Sequence, residues 1–131
     1  MFKKLLKSKK TLKQQRGQGS ERLAADYLRS QGYFIIQTNV RYKLGELDII
    51  AREAGTLCFV EVRSTGSDAW GGPLATITEK KKHRIIRAAS TYLAQLDKQP
   101  LFTRFDVIGI LWTDPTHPQI ELIRDAFGTN Y

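Results

Sequence analysis

The sequence has little of what several protein classes require. It contains one cysteine, Cys58, in 131 residues, so a disulfide within the chain is excluded and a reducing compartment is expected. No apolar run approaches the roughly 20 residues of a membrane-spanning helix, and the N-terminus lacks the apolar core of a secretory signal. The two histidines, His83 and His117, have no partner at zinc-ligand spacing. We therefore expect a cytoplasmic protein with no membrane span and no zinc site.

Acidic residues are absent from the first 16 positions, whereas basic residues are frequent there. The basic residues of this segment are Lys3, Lys4, Lys7, Lys9, Lys10, Lys13 and Arg16. The rest of the chain is close to neutral and, at 41% hydrophobic residues overall, suits one domain. We predict a flexible basic tail over residues 1–16 and one domain over residues 17–131. Such a tail attracts polyanions, and a merely solubilising terminus is the alternative.

Hydrophobic periodicity predicts an α/β fold. One helix is predicted over residues 20–31 with Ser20 as its N-cap, and another from the N-cap Thr78 to about Leu96. Strands are predicted at residues 33–38, 46–52, 56–63, 105–112 and 120–123, with a basic connector at 39–45. The order αβββαββ indicates a mixed β-sheet flanked by helices.

Two carboxylates occupy strand positions flanked by apolar residues, Asp48 and Glu61. Either residue alone is explained by a strand with one solvent-exposed face. However, Ala54-Gly55 predicts a two-residue hairpin turn whose register places Asp48 directly opposite Glu61, although a bulge would shift this pairing. Carboxylates that close repel each other unless a cation lies between them. Mg²⁺ commonly takes one or two carboxylates together with phosphates, so the pair indicates metal-assisted phosphodiester chemistry.

These motifs resemble the PD-(D/E)XK nuclease signature and, more closely, the YraN-like family of bacterial proteins. That family has a restriction-endonuclease-like fold related to archaeal Holliday-junction resolvases. In order over residues 17–127, the matching pieces are Gly-x-x-x-Glu21-x-x-Ala-Ala-x-Tyr-Leu, Gly32-Tyr33, Arg41, Gly45-Glu-Leu-Asp, Phe-Val-Glu-Val-Arg, the Trp70-Gly-Gly-Pro loop with Lys80 and Lys82 after it, and Arg104-Phe-Asp-Val.

The resemblance implies roles for individual residues. Asp48 and Glu61 match the metal-binding acids, and Glu21 matches a further acid that resolvase-like members contribute to the site. Arg63 replaces the lysine that closes the nuclease motif; it can stabilise negative charge but cannot act as a base. The implied cofactor is Mg²⁺ or Mn²⁺. Glu46 is expected to support the ligands from outside, and Asp106 to support either the fold or the site.

Basic residues elsewhere are candidates for phosphate contacts. The candidate nucleic-acid-binding residues are Arg41, Lys43, Trp70, Lys80, Arg84 and Arg87. The three in the second helix share one face at i, i+4 and i+7, a pattern that also fits a solvated surface. Trp70 lies in a glycine-rich loop, where it either stacks on a base or anchors the loop.

The sequence leaves three functions open. The first is a Mg²⁺-dependent, structure-directed endonuclease. The second is a non-catalytic nucleic-acid-binding module of the same fold, and the third is an adaptor whose basic tail docks acidic partners. The expected partner is nucleic acid, with DNA favoured, and a symmetric junction substrate would favour a homodimer.

Overall fold

The computed structural model describes residues 12–66 and 71–129 of the chain. Two α-helices and five strands account for most of them. Their bounds are α1 (Leu12–Ser30), β1 (Phe34–Tyr42), β2 (Gly45–Glu53), β3 (Thr56–Thr65), α2 (Glu79–Ala94), β4 (Phe102–Leu111) and β5 (Gln119–Phe127), with a short 3-10 helix (Leu74–Thr76) before α2. The predicted order αβββαββ and the α/β class are confirmed.

The five strands form one mixed sheet in the order β1-β2-β3-β4-β5. Neighbouring strands are antiparallel except for β3 and β4, which run parallel because α2 lies in the connection between them. The β2–β3 turn has the predicted Ala54-Gly55 geometry, with φ values of 47° and 88° and Glu53 paired with Thr56. The centre of the sheet is therefore β3, with β2 on one side and β4 on the other.

The two helices pack on opposite faces of the sheet. Along β3, Cys58 and Val60 pack in a cluster with α1, whereas Leu57 and Phe59 pack in a second cluster with α2. This alternation follows from the two-residue repeat of a strand. The side chain of Glu61 continues the Leu57 and Phe59 series, so it is directed to the α2 face.

The start of α1 differs from the prediction. The helix begins at Leu12, so it includes part of the segment assigned to the tail, and Ser20 is an interior residue that is not the N-cap. Ser20 is buried, and its hydroxyl is satisfied there because it donates to Ser64 Oγ at 2.9 Å and accepts from the Trp112 indole at 2.9 Å. A serine that ties a helix to the sheet resembles a helix cap in sequence, which explains the wrong assignment.

The predicted connector at residues 39–45 is also wrong. Strand β1 continues to Tyr42, which pairs with Gly45 across a two-residue turn, Lys43-Leu44. Its polar residues lie on an edge strand, where strand periodicity is weak, and Asn39 has a positive φ of 53°. By contrast, Thr78 caps α2 as predicted and accepts a hydrogen bond from the Lys81 amide at 3.1 Å.

Two of the predicted features lie outside the described residues: most of the basic segment, residues 1–11, and the Trp70 side chain. Among the described helices, none has the length and apolar character needed to cross a membrane.

Candidate functional site

Strands β2 and β3 separate at Asp48. Their backbone pairing runs from Glu53–Thr56 to Ile49–Val60 and is not continued by the predicted Asp48–Glu61 backbone pair. Instead, the Val62 amide donates to Asp48 Oδ2 at 2.9 Å. The Asp48 carboxylate therefore lies in the gap between the two strands, where a side chain takes the place of a backbone acceptor.

The Glu61 carboxyl lies beside Asp48 and is almost wholly buried, at 4% exposure. Burial, the negative charge of Asp48 and a hydrogen bond with that side chain together raise its pKa to about 8, against the opposing effect of Lys81. The expected proximity of the two acids is thus present, although their backbones are not paired. Ionising both acids at once is therefore unfavourable unless a cation lies beside them.

Two basic side chains approach Glu61 from the α2 side of the sheet. Lys81 Nζ lies 3.2 Å from Glu61 Oε1, and Arg63 Nη1 lies 3.9 Å from the same oxygen. Arg63 is engaged elsewhere: its Nε donates to Thr76 Oγ1 at 2.8 Å and its Nη2 to the Thr76 carbonyl at 3.2 Å. Lys81 is therefore the closer cation to Glu61, and Arg63 also joins β3 to the 3-10 helix.

Glu61 lines an open cleft of about 860 Å³ between the β1–β2 turn and α2. Lysine and arginine side chains line the same cleft, namely Arg41, Lys43, Lys80, Lys81, Arg84 and Arg87. Among the described residues of its lining, the only other acid is Glu46, whose carboxylate lies 3.5 Å from Arg41 Nε. The structure thus brings together all the predicted nucleic-acid-binding residues that it describes, in a cleft of strongly positive charge.

The walls of this cleft meet at Gly45. A Cβ atom at this position would lie 2.7 Å from the Arg84 carbonyl oxygen, which is backbone and has little freedom to move. The turn is further held by the Tyr42 hydroxyl, which donates to Gln95 Oε1 at 3.3 Å. Glycine at position 45 is therefore required for the close approach of the β1–β2 turn to α2.

Asp48 and Glu21 line a second cleft on the α1 side of the sheet. Glu21 accepts a hydrogen bond from Asn39 Nδ2 at 3.2 Å, so the β1 backbone near its positive-φ residue faces α1 at this point. Glu21 on α1 and Asp48 on β2 therefore line the same cleft. Asp48 faces this second cleft while it also contacts Glu61, which faces the first.

The donor set fits a hard divalent cation. Two carboxylates meet in the gap between the strands, and the burial of one beside the other favours a positive charge there. Among the described residues, no three His, Cys, Asp or Glu side chains form a metal-binding group. Mg²⁺ does not require three, because it retains several waters and takes phosphate oxygens as further ligands.

Asp106 lies in a separate buried network and not beside the acid pair. It accepts from the Tyr33 hydroxyl at 2.7 Å, from Arg104 Nε at 2.8 Å and from the Asp125 amide at 2.9 Å. Burial and the bond to Asp106 raise the pKa of Tyr33. These contacts join β4 and β5 to the start of β1, so Asp106 supports the fold.

Lys81 is the site residue that sequence reasoning missed. Three lysines occupy positions 80–82, and periodicity alone did not identify the one that contacts Glu61. The Thr78 cap marks where the helix begins, but the direction of each side chain in the first turn also depends on how Ile85 and Ala88 pack α2 against the sheet.

The fold and the acid pair define an α/β protein whose mixed five-stranded sheet carries two adjacent carboxyl groups beside a basic cleft. The model of "Uncharacterised protein family UPF0102" matches residues 20–110. The chain belongs to this family, which confirms its resemblance to the YraN-like proteins.

Curated relatives support the same assignment over most of the chain. A UPF0102 protein of Geotalea daltonii is 44% identical over 115 residues, which cover 88% of this chain and 91% of that protein. A UPF0102 protein of Symbiobacterium thermophilum is 40% identical over 111 residues, covering 85% and 94%. One of Chlorobaculum parvum is 46% identical over 95 residues, covering 72% and 74%.

Proposed function

We propose that this protein binds nucleic acid, with DNA favoured over RNA, in the basic cleft and hydrolyses phosphodiester bonds with Mg²⁺ or Mn²⁺. The observation that carries the proposal is the contact between buried Glu61 and Asp48 beside a cleft lined by lysine and arginine side chains. Two apolar residues would stabilise the sheet better than two repelling acids. Two acids at the edge of a polyanion-binding cleft would hold a divalent cation, which would neutralise charge on a phosphate bound there.

In this proposal, each part of the cleft has a task. The basic side chains of the two walls hold the phosphates on both sides of the scissile bond. They are Arg41 at the end of β1, Lys43 on the turn, and Lys80, Arg84 and Arg87 on α2. Asp48 and Glu61 hold the cation. When bound, Mg²⁺ supplies charge neutralisation and a more acidic water. Glu21 lines the second cleft together with Asp48, and its carboxylate would accept a hydrogen bond from water in that cleft.

A binding module without catalysis is the second candidate. It is favoured by the ion pairs of Glu61 with Lys81 and Arg63, which already neutralise the buried carboxylate. In such a module, the acid pair would only set the spacing of β2 and β3. The two candidates differ in whether a divalent cation binds at Asp48.

The deciding experiment uses the purified full-length chain with branched and linear DNA of matched sequence. Each substrate is incubated with Mg²⁺, with Mn²⁺ or with a chelator, using the wild-type protein and Asp48→Asn. The matched control is Asp97→Asn, which removes a carboxylate from the segment after α2. Binding is measured in parallel by fluorescence anisotropy.

The proposal expects metal-dependent cleavage by the wild type and by Asp97→Asn. Asp48→Asn should not cleave, because it removes one of the two carboxylates that hold the cation. It should bind DNA equally well or more tightly, because a negative charge beside the basic cleft, in contact with Glu61, is gone. Absence of cleavage by the wild type with retained DNA binding would establish the binding module. Cleavage that persists in Asp48→Asn or in chelator would mean that this site is not responsible.

A further inference from the structure

We propose that Lys81 is the catalytic lysine of this site, contacting the scissile phosphate, and that Arg63 has become a positioning residue. This inference rests on the proposed function. It assigns the role of the missing motif lysine to a different element, α2, on the basis of the Lys81–Glu61 contact of 3.2 Å.

Lys81 lies closer to Glu61 than Arg63 does and is also the more accessible of the two. Its Nζ is 3.2 Å from Glu61 Oε1, against 3.9 Å for Arg63 Nη1. The exposed fraction of the side chain is 43% for Lys81 and 27% for Arg63. An ammonium that contacts a buried ligand and still reaches the cleft is placed to meet a phosphate bound there.

Arg63, by contrast, is committed to a structural contact. It donates two hydrogen bonds to Thr76, through the hydroxyl and the backbone carbonyl, in the 3-10 helix before α2. Thr76 Oγ1 in turn donates to the Pro73 carbonyl at 2.7 Å. If Arg63 turned towards a substrate, it would leave these acceptors without their partner, so its guanidinium positions the start of α2.

The backbone of Lys81 is fixed independently of Glu61. The Lys81 amide donates to the Thr78 cap, which sets the first turn of α2. Its neighbour Lys82 is engaged with Glu79 at 3.1 Å and lies over the Phe127 ring. Lys81 is thus directed towards Glu61, whereas Lys82 lies over Phe127 on β5.

In this position, Lys81 would stabilise negative charge on the phosphate during cleavage. Water attacks phosphorus, the bond from phosphorus to the leaving oxygen breaks, and the two hydrogens of water end on the new phosphate and on the leaving oxygen. During this step, negative charge grows on the non-bridging phosphate oxygens. Lys81 donates a hydrogen bond to one of them and keeps its proton, a contact that is stronger in the transition state than in the bound substrate.

Lys81 also competes with the cation for Glu61. Its ammonium lies 3.2 Å from Oε1, so a divalent cation that binds Glu61 would have to displace or share that contact. Removing Lys81 should therefore leave the affinity for metal unchanged or raise it, even as catalysis falls. A residue with only a structural role would lower both.

The test compares Lys81→Met and Lys81→Arg with Lys80→Met, and uses Lys98→Met as the charge-matched control on the exposed segment after α2. Single-turnover cleavage is measured at saturating protein, which separates the chemical step from binding. Mn²⁺ affinity is measured separately by titration calorimetry without nucleic acid. Unfolding curves for every variant exclude loss of fold.

We expect Lys81→Met to lower the single-turnover rate by about 100-fold, the usual effect of removing one transition-state donor, with Mn²⁺ bound at least as tightly as by the wild type. Lys81→Arg should recover part of the rate, and Lys80→Met should weaken DNA binding with little change in the rate at saturation. Lys98→Met should match the wild type.

The inference is overturned if Lys81→Met cleaves within about twofold of the wild type, or if its lower rate comes with weaker Mn²⁺ binding, because that combination indicates a structural role. Failure of the proposed function is recognised differently. There the wild-type protein itself cleaves no substrate, and the assignment to Lys81 falls with it.

Discussion

The Val62 amide donates to Asp48 Oδ2 at 2.9 Å, so an aspartate side chain stands where a backbone acceptor of β2 would be expected. This single bond ends the regular pairing of β2 with β3 and holds the carboxylate in the opening that results. Asp106 does the same at a second irregularity, where it accepts from the amide of Asp125 in a bulge of β5. The irregularity at Asp48 forms part of the candidate site, whereas the one at Asp106 belongs to the buried network that joins β4 and β5.

Replacing Glu61 by glutamine should stabilise the protein above neutral pH. The folded-state pKa of Glu61 is raised from its ordinary value of about 4.5 to about 8. The free energy of unfolding therefore decreases as pH rises between those values, because the unfolded state releases this proton first. We expect Glu61→Gln to be more stable than the wild type by about 1–3 kcal/mol at pH 8, and by much less at about pH 5. Chemical denaturation at both pH values measures this. An equal difference at the two values would mean that Glu61 ionisation carries no such cost.

The α2 wall of the cleft should contribute to nucleic-acid binding through phosphate contacts. Substituting Arg84 or Arg87 by alanine should weaken binding to every sequence alike and reduce the slope of log K against log salt by about 1 for each phosphate that is no longer neutralised. Anisotropy titrations at several salt concentrations give the slope. Arg52→Ala is the control, because Arg52 is exposed on β2 and does not line the cleft. A slope that changes equally in the control would argue against a specific cleft interaction.

Glu53 should stabilise the fold most strongly near neutral pH. It accepts from Arg104 and Arg124, each at 2.7 Å, and hydrogen bonds from Arg124 hold its pKa below the ordinary value. The stabilisation is therefore present above its unfolded-state pKa and is lost as pH falls through the folded-state pKa. Glu53→Gln should cost about 1–3 kcal/mol at pH 7 and less at about pH 3.

Thermal or urea unfolding of Glu53→Gln and the wild type across this range checks the direction. Glu121→Gln, an exposed substitution on β5, should be neutral at both ends. A Glu53→Gln effect that grows towards acid pH would contradict the ion-pair explanation.

The basic N-terminal segment should add affinity without adding stability. Residues 1–11 carry five lysines, and α1 begins after them. Deleting them should weaken polyanion binding and make its salt dependence shallower, because fewer counterions are released. A full-length variant with those lysines replaced by glutamine separates charge from length. The prediction fails if the glutamine variant keeps wild-type affinity.

Most of the fold could be predicted from the sequence, because local signals determine it. Ala54-Gly55 fixed the hairpin register, Thr78 marked the start of α2, and flanking apolar residues located the central strands. The start of α1 was missed because the Ser20 hydroxyl bonds Ser64, far away in the sequence. A hydrogen bond between residues so far apart in the chain produces no pattern in the sequence that could predict it.

The candidate site was predictable only in part, for the same reason. The hairpin register brought Asp48 near Glu61, but the end of the ladder at Asp48 depends on a side-chain bond to Val62. Which lysine reaches Glu61 depends on how α2 is rotated against the sheet, and that rotation comes from packing of Ile85 and Ala88 in the core. Arg63 was expected at the acids and does lie 3.9 Å from Glu61, but its hydrogen bonds to Thr76 could not be foreseen from the sequence.

Gly45 fixes the width of the cleft at its inner end. Since only a hydrogen atom separates the turn from the Arg84 carbonyl, main chain touches main chain there, and no rotamer change can bring the two basic walls closer or let them slide. The outer ends of the walls, by contrast, are long and flexible side chains. The cleft is therefore rigid where its walls meet and adjustable at its rim. A cleft of this kind should select ligands by their width more than by their base sequence.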